Sequence, residues 1–160
     1  MVKTNKKTQD IMNQYDFEKF WISQVAVIIR NNKCLILKFA GESSEYWGLP
    51  GGRIDKGEAN QAPKSFSREI SEELGIKKFK LVDLIDYHTW YVQGGAVKGL
   101  AICGVAFLVI IDKNQQITLS HEHTNYEWIA QRQISKYKFA WPDVPVMIRK
   151  GFKKYKQLYL

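Results

Sequence analysis

The amino-acid sequence predicts one α/β domain over residues 1–160, with a mixed β-sheet between helices. Several short segments have the apolar alternation or apolar runs that are typical of strands, and two others carry apolar residues at helical spacing. The two kinds of segment are interleaved along the chain, and no internal repeat is visible. The chain has 160 residues, of which 45% are hydrophobic and 25% charged, so it is long enough to bury one core.

The first predicted elements are a leading helix and a β-hairpin. A short helix over residues 8–20 would belong to an amino-terminal extension, residues 1–20. Strands over residues 24–29 and 33–39 follow. Asn31 and Asn32 lie between them, and because asparagine tolerates a positive φ, the pair predicts a tight hairpin turn.

The segment after a short strand at residues 47–49 predicts a helix with one apolar face. Phe66, Ile70 and Leu74 are four residues apart, so they lie on the same side of a helix. Pro63 suits the first helical turn, where its missing N–H is not needed. Gly75 is the residue type that commonly follows the last turn.

The second half of the chain predicts two long strands, a short strand and a closing helix. Residues 80–92 and 99–111 read as an antiparallel pair, and residues 127–130 as a short last strand. The final helix is predicted to begin near Asp143. Its apolar face comprises Val144, Ile148, Phe152, Tyr155 and Tyr159.

Three carboxylates lie on adjacent turns of the predicted helix that ends before Gly75. Glu69, Glu72 and Glu73 are three or four residues apart, and like charges at this spacing destabilise a helix by roughly 0.2 to 0.5 kcal/mol per pair. Glu72 and Glu73 also lie at the negative end of the helix macrodipole. A hard divalent cation would relieve both penalties, so the cluster predicts a metal site.

The surrounding segment resembles the signature of the Nudix hydrolases, a MutT-like family. That signature is Gly, five residues, Glu, seven residues, then Arg-Glu-apolar-x-Glu-Glu-x-Gly-apolar. In this chain nine residues separate Glu58 from Arg68, so the resemblance includes a two-residue insertion, which we expect to enlarge the loop before the helix. Whether the side chain of Glu58 still meets its partner is left open. The residues that match by type are Gly52, Glu58, Arg68, Glu69, Ile70, Glu72, Glu73, Gly75 and Ile76.

The resemblance implies a Nudix-type α/β/α sandwich and a metal-dependent pyrophosphohydrolase. The implied reaction is hydrolysis of a diphosphate linkage in a nucleoside diphosphate derivative, such as a nucleoside triphosphate or a nucleotide conjugate, with Mg²⁺ as cofactor and Mn²⁺ as an alternative. Arg68 would brace the box together with Gly52 and Glu58. The implied catalytic residues are Glu69, Glu72 and Glu73, and the same three would bind the metal together with the carbonyl of Gly51. Glu69 would act as a ligand or as a base.

Other candidate site residues lie outside the box. We expect Glu122 to be a further metal ligand, and Arg53 could contact a phosphate. His121 and His123 are expected to be structural or solvent-facing, because a two-residue His spacing is weak support for a metal site. Stacking faces for a nucleobase could come from Trp47, our choice for substrate binding, or from Trp90, Tyr91, Tyr126, Trp128 and Trp141.

The net charge of +8 is concentrated near the carboxyl terminus. From Arg132 onward the chain has eight basic residues and one acidic residue, which is +7. These charges form either a solvated helix face or a surface that contacts RNA or another polyanion. The alternative function is therefore a binding module of the same fold without catalysis.

The remaining features favour a cytoplasmic protein. The amino terminus carries no apolar signal segment, and no apolar run approaches the roughly 20 residues that span a bilayer. Cys34 and Cys103 lie in strand-like segments and are expected to be buried, reduced thiols. The sequence leaves the oligomeric state and the particular nucleotide derivative open.

Overall fold

The computed structural model describes residues 18–160, which contain seven strands, two α-helices and two 3₁₀ turns. A helix was predicted over residues 8–20. Its residues up to 17 lie outside the described residues, and a strand begins at Phe20. The strands are β1 Phe20–Arg30, β2 Lys33–Phe39, β3 Trp47–Gly48, β4 Gly51–Arg53, β5 Lys80–Tyr91, β6 Ala101–Ile110 and β7 His123–Ile129. The helices are α1 Ala62–Leu74 and α2 Val144–Tyr159, and the 3₁₀ turns are Gly41–Ser43 and Gln131–Lys136.

The strands form a mixed sheet, as predicted. The main path runs β3-β2-β1-β6-β5, while β4 pairs with β1 and β7 pairs with β2. The β1–β6 pair is parallel, and the other pairs are antiparallel. The antiparallel pairing of β5 with β6 confirms the prediction for these two long strands.

The hairpin between β1 and β2 turns where the sequence predicted it. Asn31 and Asn32 have φ values of 51° and 56°, in the left-handed region. The turn aligns Ile29 with Cys34, and both side chains are buried against the core. The asparagine pair therefore sets the register of the hairpin.

Two apolar cores lie on opposite faces of the sheet, which confirms the α/β/α sandwich. Helix α1 packs on one face through Phe66, Ile70 and Leu74, the three residues predicted to form its apolar side. Helix α2 packs on the other face through Ile148 and Phe152, together with other apolar residues. Each helix covers one side of the sheet, because an apolar sheet face must be removed from water.

The ends of the helices also agree with the sequence. Helix α1 has Pro63 in its first turn and is followed by Gly75, whose φ is 67° and whose N–H donates to Ser71 at 2.9 Å. Helix α2 follows Asp143. Within the described residues, no helix is long and apolar enough to cross a membrane.

Two predictions need correction. The last strand begins at His123 rather than at residue 127, because the polar residues 123–126 pair with β2 although their pattern is not apolar. Cys34 is fully buried, and burial raises the pKa of its thiol, but Cys103 is only partly buried. The alternation of β6 places Cys103 on the face of the sheet near Phe20 and Ile22, which are exposed, so its burial was wrongly predicted.

Phe152→Ala tests the packing of α2 on the sheet. Phe152 is fully buried, so we expect the free energy of unfolding to fall by about 3 to 5 kcal/mol. Leu158→Ala is the matched control on the same helix, since Leu158 is 49% exposed, and we expect a change within about 0.5 kcal/mol. Urea denaturation measures both values. Equal losses in the two variants would contradict the assignment of α2 to the core.

Candidate active site

Two glycines bring strand β4 against the acidic side of helix α1. A Cβ atom on Gly52 would lie 2.3 Å from Cδ of Glu69. Gly51 has a φ of +136°, and a Cβ atom there would lie 2.1 Å from the carbonyl oxygen of Gln24. Glycine at position 52 therefore lets the backbone approach the Glu69 carboxylate, and glycine at position 51 lets β4 lie close to the backbone of β1.

Glu73 is the carboxylate that the protein holds most firmly. One of its oxygens, Oε2, accepts a hydrogen bond from the N–H of Gly51 at 2.7 Å. The other, Oε1, lies 3.0 Å from Nε2 of His123. The Glu73 side chain is only 8% exposed, so these two contacts fix its orientation in a nearly dry environment.

Arg68 contacts several carboxylates of the box. Its Nε and Nη2 atoms bond to the two oxygens of Glu58 at 3.2 and 3.1 Å. Glu58 therefore meets Arg68 although two extra residues separate them. Hydrogen bonds from Arg68, followed by one from the backbone N–H of Asp55, lower the pKa of Glu58 to about 2.

The same guanidinium contacts the two other box carboxylates. Nη1 of Arg68 lies 3.0 Å from Glu69 and 2.9 Å from Glu72. The side chain of Glu72 is 57% exposed, whereas that of Glu69 is 16% exposed. Burial raises the pKa of Glu69, and Glu73 raises it further, while Arg68 opposes the shift. The repulsion expected from the sequence is therefore partly offset by Arg68.

A loop brings a further carboxylate to this site. Glu73, Glu122 and His123 each place a ligand atom within 4.8 Å of the others. The loop is tied to its surroundings by backbone bonds, from Ser120 N–H to the carbonyl of Glu73 and from Ala40 N–H to the carbonyl of Glu122. The structure thus brings the predicted Glu122 to Glu73. His123 is buried, and the sequence carried no signal for its contact with Glu73 beyond its position next to Glu122.

The donor set suits a hard divalent cation. The carboxylates of Glu69, Glu73 and Glu122 line one cleft together with Gly51 and Gly52. Oxygen ligands of this kind are preferred by Mg²⁺ and Mn²⁺. Glu72 does not line this cleft but shares a nitrogen of Arg68 with Glu69, so it is adjacent to the other carboxylates.

Aromatic side chains line the rest of the cleft, which has a volume of about 490 Å³. Arg53 also lines it, and its guanidinium lies 5.2 Å from the ring centre of Trp21. Trp47 is not among the lining residues, because its ring packs against Tyr137 at 5.2 Å beside the core under α2. Its position gives no support to a substrate contact. The aromatic residues that do line the cleft are Trp21, Phe39, Trp90 and Trp141.

The NUDIX domain family matches residues 21–150, which include the whole of this site. The chain belongs to the Nudix family. The prediction of a Nudix hydrolase from the box residues is therefore confirmed. Members of this family generally use divalent metal ions, which agrees with the donor set around Glu73. No curated protein sequence matches the chain.

Solved structures of Nudix proteins share the fold at low sequence identity. Dihydroneopterin triphosphate pyrophosphohydrolase of E. coli is 19% identical, with a TM-score of 0.69 over 85% of this chain and 99% of that one. An Ap4A hydrolase of C. elegans is 22% identical, with a TM-score of 0.69 over 87% and 99%. The NUDIX domain of Shewanella oneidensis NrtR, determined with ADP ribose, is 15% identical, with a TM-score of 0.66 over 94% and 99%.

The Glu58–Arg68 pair predicts a pH-dependent contribution to stability. The folded-state pKa of Glu58, about 2, is below the usual 4.5, so the pair stabilises the fold above pH 4.5 and loses this effect as the pH falls toward 2. We therefore expect Glu58→Gln to lower the Tm at pH 7, and the difference from the unmodified protein to shrink between pH 4.5 and 2. Thermal unfolding across this range measures it. Glu42→Gln, at an exposed position, is the control; a pH-independent difference for Glu58→Gln would contradict the ion pair.

Proposed function

We propose that the protein hydrolyses a pyrophosphate linkage in a nucleoside diphosphate derivative, with Mg²⁺ or Mn²⁺ as its cofactor. One observation carries the proposal: the carboxylates of Glu69, Glu73 and Glu122 meet the glycine edge of β4 in a cleft that continues into aromatic walls. Such a cleft has a place for a metal-bound polyphosphate beside a place for a planar ring. A cytoplasmic location and a single domain over residues 1–160 remain part of the proposal.

The metal would be held by the box residues and by the loop carboxylate. When bound, Mg²⁺ neutralises charge on the diphosphate and makes water a better nucleophile near neutral pH. Glu69 serves as a ligand or as the base that orients this water, and Arg68 keeps it in place through Nη1. The proposed ligands are the carbonyl of Gly51 and the carboxylates of Glu69, Glu72, Glu73 and Glu122.

The rest of the cleft would bind the organic part of the substrate. Trp90 and Trp141 line both this cleft and a more enclosed apolar pocket beside Glu73. Flat aromatic walls suit a nucleobase or a related ring. Arg53 also lines the cleft, where its guanidinium could contact a phosphate. The relatives described above take or bind Ap4A, dihydroneopterin triphosphate and ADP ribose, and each of these joins a ring system to a phosphate chain.

Hydrolysis across a substrate panel tests the proposal. We expect cleavage of nucleoside triphosphates, dinucleoside polyphosphates or nucleotide sugars with Mg²⁺, and none with chelator. Glu73→Gln should lower kcat by roughly 100-fold or more, because an oriented carboxylate ligand is lost. Glu45→Gln is the control, since Glu45 is exposed and pairs only with Lys138 in the described part of the chain. Turnover in chelator, or full activity of Glu73→Gln, would sink the metal assignment.

A second candidate is contact with RNA through helix α2. Basic side chains of this helix line a surface groove beside Gln131. Lys150 is neutralised by Asp86 at 2.6 Å, but other cations of the groove have no acidic partner within the described residues. These are Arg149, Lys153 and Lys156. Such a groove would contact phosphates without recognising the base sequence of the RNA.

Salt dependence tests the RNA contact. We expect the affinity for a single-stranded RNA to fall linearly in a log-log plot against salt, with a slope set by the number of phosphates contacted. Arg149→Glu with Lys153→Glu should reduce this slope, and Lys98→Glu, on an exposed loop, should not. Filter binding from 50 to 300 mM salt provides the measurement. Undetectable binding at low salt would remove this candidate.

A further inference from the structure

His123 has a place in the site that the proposed reaction does not use. We propose that the Nε2–H group of His123 holds the carboxylate of Glu73 in position for the metal, and that His123 is not itself a metal ligand. This inference rests on the proposed metal site at Glu73. It makes His123 a positioning residue in contact with the site, in contrast to the structural or solvent-facing role expected from the sequence.

The contacts of Glu73 show why a donor at His123 matters. Both carboxylate oxygens have one protein donor, Gly51 N–H on Oε2 and His123 on Oε1, at 2.7 and 3.0 Å. Two donors on opposite oxygens restrict the rotation of the carboxylate. Without His123, Oε1 would be a buried charged atom without a donor from this side, which is unfavourable. Glu73 would then turn toward another donor and away from the metal position.

The second ring nitrogen decides between a positioning residue and a ligand. Nδ1 of His123 is buried and has no hydrogen-bond partner in the described part of the chain. A histidine that binds a metal through Nε2 carries its proton on Nδ1 and normally donates it to an acceptor there. Since no acceptor is present in this part of the chain, the proton belongs on Nε2, where Glu73 accepts it. In that tautomer Nε2 has no lone pair left for a metal.

His123 also links the loop carboxylate to the helix. It is the first residue of β7 and directly follows Glu122, while its ring packs against Phe39 with centroids 5.3 Å apart. The bond to Glu73 crosses 50 residues of sequence. This contact therefore helps to orient Glu73, while the backbone bonds of the loop hold Glu122 near it.

Binding of Mn²⁺ alone, followed by electron paramagnetic resonance, tests this role without turnover. His123→Phe keeps a ring against Phe39 but removes the donor, and we expect Mn²⁺ affinity to fall about 10- to 100-fold. His123→Gln places an amide N–H near the position of Nε2, so its affinity should stay within about threefold of the unmodified protein. His121→Phe is the matched control, because His121 is exposed two residues away. Pulsed measurements should show no large ¹⁴N coupling from a directly bound imidazole.

The outcomes separate the possibilities. A large ¹⁴N coupling that disappears in both His123 variants would make His123 a ligand and overturn the proposal. Equal affinity in His123→Phe and the unmodified protein would overturn it while leaving the metal site intact. Absence of Mn²⁺ binding to the unmodified protein would reject the proposed metal site and this inference together. If His123→Phe does not fold, the Mn²⁺ affinity of His123→Gln and the ¹⁴N spectrum still distinguish a positioning residue from a metal ligand.

Discussion

The approach of strand β4 to helix α1 is the contact on which the site depends. Because Gly52 has no side chain, the backbone can lie against the carboxylate of Glu69, and the N–H of Gly51 donates to Glu73. Any larger residue at Gly52 would occupy the position of the Glu69 carboxylate. Both sides of the site are held by the same sheet, because β4 pairs with β1 and α1 packs on the sheet through its apolar face. A rigid sheet thus positions the acidic helix without using the functional carboxylates for packing.

One guanidinium partly offsets the negative charge of the box. Arg68 contacts Glu58, Glu69 and Glu72, as well as Asp55 in the preceding loop. Without such a cation, carboxylates three and four residues apart would repel one another and the end of the helix dipole. Glu73 has no contact with Arg68 and relies instead on Gly51 and His123. The protein therefore holds a cluster of negative charge in place by two separate means, one ionic and exposed, the other buried and hydrogen-bonded.

Much of the fold followed from local sequence. The asparagine turn, the apolar face of α1, its glycine end and the long β5–β6 pair were all predicted, because each depends on residues that are close in sequence. The start of β7 was missed, since its polar residues become a strand only by pairing with β2. Trp47 could be either a core or a cleft residue on composition alone, and packing against Tyr137 placed it beside the core. Cys103 was wrongly assigned to the interior because its surroundings are set by the pairing of β6 with β1, which places it beside the exposed Ile22.

The sequence by itself determined the family and the identity of the box carboxylates, because spacing along one helix is a local property. It also indicated Glu122, but only as one acidic residue in a loop. Tertiary structure decided the rest: that Glu58 reaches Arg68 across the insertion, that Glu122 meets Glu73, and that His123 is buried against it. These contacts join residues from 10 to 50 positions apart. Their geometry is set by how helix, loop and strand pack together, and no local pattern encodes it.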